Sequence, residues 1–63
     1  MKTLYDVQQL LKRFGIFIYT GHRLADLELM EEEVRSLYES GMMDRQDYKM
    51  ALLVIKSNMQ KYS

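Results

Sequence analysis

Cysteine is absent from this chain of 63 residues, and no other feature constrains its fold as much. A chain this short buries only about 60% of the surface its unfolded form exposes, so domains of this size commonly add disulfides, a metal or a partner chain. Here no disulfide can form, and a single histidine without cysteine excludes a structural zinc site of the usual nitrogen and sulfur ligands. Helix packing, or association with a second chain, must supply the stability. The same absence suits a reducing compartment.

Proline is missing too, and the three glycines are Gly15, Gly21 and Gly41. Glycine directly after a periodic apolar stretch is a helix stop signal, because it accepts a left-handed backbone at little cost. Gly15 and Gly41 both follow such stretches. Ahead of Gly15, Leu4, Val7, Leu10, Leu11 and Phe14 recur at helical spacing and make one apolar stripe. Thr3 is placed to cap this first helix, with Asp6 standing in for the glutamate of a capping box and Lys12 and Arg13 in the last turn.

Residues 16–19, Ile-Phe-Ile-Tyr, have strand-like composition, but the chain offers them no partner strand. An isolated strand leaves backbone groups unsatisfied, so a buried extended connector is expected, followed by a turn at Thr20-Gly21-His22-Arg23. The second helix is expected from about Leu24 to Ser40, with Leu24, Leu27, Met30, Val34, Leu37 and Tyr38 on its apolar face. Glu31 and Arg35 are four apart in the favourable order, worth about 0.3–0.5 kcal/mol, while Glu28 and Glu32 repel at the same spacing. Packing must therefore hold this helix.

Asp44 is a good cap for the third helix, with Asp47 three residues on. Tyr48, Ala51, Leu52, Ile55, Met59 and Tyr62 form its main stripe, and Met50, Leu53 and Val54 spread apolar surface beyond it. In a three-helix domain no helix is surrounded on all sides, so this excess implies a second contact surface: a homodimer or a protein partner docked through Met50, Leu53 and Val54.

Charge balances overall but not locally. Residues 1–23 carry Lys2, Lys12, Arg13 and Arg23 against Asp6 alone. Residues 24–41 carry one cation, Arg35, against six carboxylates, and residues 42–63 are again mildly basic. The longest unbroken apolar run, Met50–Ile55, is far too short to span a membrane. No apolar signal-peptide core stands near the start, and a cytoplasmic protein without membrane contact is expected.

Catalytic and metal chemistry find little support. His22 and Asp26 have a spacing that could aim two ligands alike, but two ligands do not complete a site, and His22 reads better as a solvated or capping residue. One histidine supplies no triad. Glu31, Glu32 and Glu33 diverge around a helix and do not converge on one cation. The turn at Gly21 could hold an anion on its amides, although an ordinary turn accounts for it. The six methionines read as filler, with Met42 and Met43 the best candidates for partial exposure. No enzyme activity and no cofactor are expected.

What remains is basic and aromatic: Lys2, Tyr5, Gln8, Gln9, Lys12, Arg13, Phe17, Tyr19, His22 and Arg23. Cations can track phosphates, rings can stack bases and glutamine amides can bond base edges, which together read as a single-stranded nucleic-acid site. The competing reading places Phe17 and Tyr19 in the core and leaves the cations to complement helix ends.

The stretch Tyr5-Asp6-Val7-Gln8-Gln9-Leu10-Leu11-Lys12, then Gly15, then Ile18-Tyr19-Thr20-Gly21 with Arg23, resembles the YqgQ family of small bacterial proteins. Leu37-Tyr38 and the apolar third helix continue the similarity along nearly the whole chain. The resemblance implies a compact three-helix cytosolic domain, for which single-stranded nucleic-acid binding has been suggested from structural likeness, an associational warrant. It brings no catalytic residues. The expectation is one all-α, compact three-helix bundle over residues 1–63, with helices at about 4–14, 24–40 and 45–62.

Overall fold

The computed structural model describes residues 1–62, and Ser63 lies outside the described residues. Three α-helices follow one another: α1 Leu4–Arg13, α2 Arg23–Glu39 and α3 Arg45–Met59, with a short 3-10 turn over Gln60–Tyr62. The described residues contain no strand, so the chain is an all-α three-helix bundle.

Helix ends follow local chemistry. At α1 the Asp6 amide donates to the Thr3 hydroxyl at 3.3 Å, and the Asp6 carboxylate accepts from the Thr3 amide at 3.0 Å, completing the capping box. The Lys2 amide adds a third bond at 2.9 Å, and these donors hold the Asp6 carboxyl below its ordinary pKa. Asp44 caps α3 by accepting from the Asp47 amide at 2.7 Å. Helix α1 stops at Gly15, where φ is +78°: the Gly15 amide donates to the Lys12 carbonyl and the Ile16 amide to the Leu11 carbonyl. Gly41 and Met42 repeat this arrangement on Tyr38 and Leu37 at the end of α2, with φ +81° at Gly41. Both are six-to-one turns that satisfy the last helix carbonyls.

Tyr38 stacks on Tyr48 with ring centroids 4.2 Å apart, and Lys56 meets Glu31 at 3.0 Å. These two pairings run in opposite directions along the chain, so α2 and α3 form an antiparallel hairpin. Helix α1 lies across that hairpin. Val7, Leu10 and Leu11 from α1, Leu27, Met30, Val34 and Leu37 from α2, and Ala51, Val54 and Ile55 from α3 form one buried cluster.

Several expectations are corrected. Met43 is buried while Met42 beside it is 63% exposed, because the turn after Gly41 folds only Met43 back onto the core. Val54 is buried rather than available for docking, because its side of α3 turns into the shared core. Leu24, Tyr38 and Tyr62, assigned to apolar stripes, remain partly exposed at the margins of the bundle. Residues 16–19 form no regular element and are not wholly buried: Ile16 and Ile18 pack on the core, and Phe17 and Tyr19 are exposed, the alternation of an extended segment. Alternation along an extended backbone sends successive side chains to opposite faces.

Candidate nucleic-acid interface

That alternation creates the most distinctive surface of the molecule. Helix α1 and the segment 16–19 enclose a groove of about 430 Å³ lined by Leu11, Ile16, Ile18 and Met30 and bordered by Gln8, Gln9, Lys12, Phe17 and Tyr19. Phe17 is 73% exposed and Tyr19 85%. The ammonium of Lys12 stands 5.9 Å from the centre of the Phe17 ring, at the outer limit of a cation–π contact. Among the described residues no carboxylate lines the groove.

Gln8, Gln9 and Lys12 reach it together because residues three and four apart share a helix face. Tyr5 lies on the same face one turn earlier, 64% exposed and just outside the groove. Positioning of the other wall falls to Thr20. Its hydroxyl donates to Asp26 Oδ1 at 2.6 Å and its amide donates to the same oxygen at 2.7 Å. The hydroxyl oxygen in turn accepts from the His22 amide at 3.2 Å. Asp26 is 2% exposed. The Thr20 hydroxyl, then the Thr20 amide, then the charges of Arg23 and His22 hold its carboxyl below its ordinary pKa against the opposing effect of burial.

Asp26 is the residue that sequence reasoning missed. Its spacing from His22 suggests a second metal ligand, yet its carboxylate closes the turn on Thr20 instead. Among the described residues no group of three or more potential ligands gathers for a metal ion. The signal was present: Asp26 precedes Met30 by four residues on the apolar face of α2, where a carboxylate requires local donors.

The other expected site residues disperse. Lys2 lies beside Met50 and Leu53, across the molecule on the α3 side. Arg13 faces a different depression with Asp6, Gln46 and Asp47, where carboxylates offset its charge. His22 occupies the cap position of α2 without a side-chain cap bond, and Arg23 begins that helix; both are solvent-exposed and neither lines the groove. The structure therefore gathers Gln8, Gln9, Lys12 and Tyr19 with Phe17, and leaves only Lys12 of the four expected phosphate-facing cations in the groove. Of the docking residues, Leu53 is 67% exposed and Met50 half-buried. No helix among the described residues is long and apolar enough to cross a membrane.

The model of the YqgQ-like family matches residues 1–61 of this chain. A protein of Bacillus subtilis (strain 168), called Uncharacterized protein YqgQ, is 38% identical over 61 residues, which cover 97% of this chain and 86% of that protein.

Proposed function

We propose that this protein, which belongs to the YqgQ-like family, is a non-enzymatic cytoplasmic module that binds single-stranded nucleic acid along the groove between α1 and residues 16–19. One observation carries the reading: Phe17 and Tyr19 stand exposed on the border of a groove that Lys12 also borders and that no carboxylate of the described residues lines. Folding alone gives no reason to leave two rings in water on a chain with so little core to spare. Every base has a face that stacks on an aromatic ring, and such stacking contributes about 1–3 kcal/mol per base.

The spacing suits this role. Phe17 and Tyr19 are two residues apart on an extended backbone, about 6.6 Å along the chain. That is close to twice the ~3.4 Å step between nucleotides in a stacked strand, so an unpaired base can lie against either ring. Lys12 supplies a charge for one phosphate, and the amides of Gln8 and Gln9 can bond base edges. Glu28, Glu31 and Glu32, which would repel a phosphate backbone, line a separate depression with Ala25, Leu29 and Arg35.

Titration of isotope-labelled protein with short single-stranded RNA and DNA at low salt tests the reading. Amide shifts confined to residues 5–19 and around Met30 are expected. An unperturbed groove under those conditions would sink it.

A further inference from the structure

The outer flank of the α2–α3 hairpin shares no lining residue with the groove. Leu53 is 67% exposed there, in a shallow apolar depression that Lys49, Leu52 and Lys56 complete. On the adjoining helix, Leu29 is 39% exposed in a second depression bordered by Glu28, Glu31, Glu32 and Arg35, where Arg35 pairs with Glu31 at 2.7 Å and Glu28 and Glu32 leave the rim net acidic. The Lys56–Glu31 ion pair joins the two at 3.0 Å. A leucine surface with a basic rim and a leucine surface with an acidic rim therefore lie side by side.

Two such halves are complementary to themselves under a two-fold rotation, the arrangement of an isologous interface. We infer that this flank is the contact between two copies of the chain, with α3 of each protomer laid against α2 of the other. Charge selects the occupant. An acidic partner would face Glu28, Glu31 and Glu32, and a basic partner would face Lys49 and Lys56. A second copy turned by half a revolution presents lysines to the glutamates and glutamates to the lysines. The contact also removes Leu53 from water, which a domain of 63 residues with no disulfide has reason to exploit.

The inference is independent of the nucleic-acid reading, because none of these residues lines the groove. Sedimentation velocity on the full chain from micromolar to millimolar concentration tests it, and a monomer–dimer equilibrium is expected. Leu53→Asp gives a monomer with an unchanged helical spectrum, since Leu53 is already exposed. Lys49→Glu in one chain and Glu28→Lys with Glu32→Lys in another each weaken self-association by about tenfold or more at low salt, because each places like charges in contact. An equimolar mixture of those two chains recovers dimer, because both contacts across the two-fold axis again pair opposite charges. The inference is overturned by a wild-type chain that stays monomeric at millimolar concentration. It is equally overturned by a dimer that survives Leu53→Asp, or by charge-reversed chains that fail to recover on mixing.

Discussion

Thr20 places both its hydroxyl and its backbone N–H on a single oxygen of Asp26, at 2.6 and 2.7 Å. This pair of hydrogen bonds to one buried carboxylate ties the end of the extended segment to the first turn of α2. It thereby sets where Tyr19, the preceding residue, stands beside the groove.

Acid should loosen this tie. Donors to the ionised Asp26 depress its folded-state pKa, so its contribution to stability is present above the unfolded value of about 3.9 and disappears as pH falls through the lower folded value. Asp26→Asn should lower the Tm at neutral pH, and its gap to wild type should narrow in acid. Thermal melts by circular dichroism between neutral and acid pH measure both. A gap independent of pH contradicts the assignment. Asp6 has the same sign and remains in the variant, so the acid limb is reduced rather than abolished.

Leu11 is 1% exposed and Leu37 9%. Replacement of either by Ala should destabilise the fold by about 2–5 kcal/mol through lost burial and the cavity left behind. A single core of this size rarely supplies more than about 3–5 kcal/mol in total, so either variant should be largely unfolded at room temperature. Denaturant titration checks this.

Gly15 and Gly41 have no neighbouring atom within 4 Å of where a Cβ would sit. Any cost of Gly15→Ala or Gly41→Ala is therefore conformational, about 1–2 kcal/mol for a left-handed backbone in an L residue. Equal, moderate losses from the two variants are expected in the same titration. A loss as large as that of Leu11→Ala would indicate a packing role instead.

Nucleic-acid affinity should respond differently to rings and to charge. Phe17→Ala or Tyr19→Ala should cost about 1–3 kcal/mol without altering the salt slope. Lys12→Gln should make the log–log salt slope shallower by about 0.7, as expected for one phosphate contact on a single strand. Arg13→Gln should change the slope less, because Arg13 lies outside the groove, in a depression where Asp6 and Asp47 offset its charge. Fluorescence anisotropy with a labelled oligonucleotide at several salt concentrations separates these outcomes.

The three helices and most of their ends are legible along the chain, although α3 gives way to a 3-10 turn after Met59, short of the expected end at 62. The capping box of Thr3 and Asp6, the Asp44 cap and the stops at Gly15 and Gly41 are local events, settled by residues within a turn or two of one another. The stripes through Leu11, Met30 and Ile55 are likewise periodic and readable along the chain. Tertiary structure decided which surfaces meet. Val54 is covered because its side of α3 turns into the shared core, whereas Leu53, its neighbour, faces outward. The basic residues of the first third scatter because helix faces and crossing directions, not sequence proximity, set where a cation points. Phe17 and Tyr19 stay in solvent because only the core's position fixes the phase of an alternating segment, and the core took Ile16 and Ile18. Asp26 tolerates burial because Thr20, six residues earlier, is folded back onto it, a contact that no local periodicity specifies.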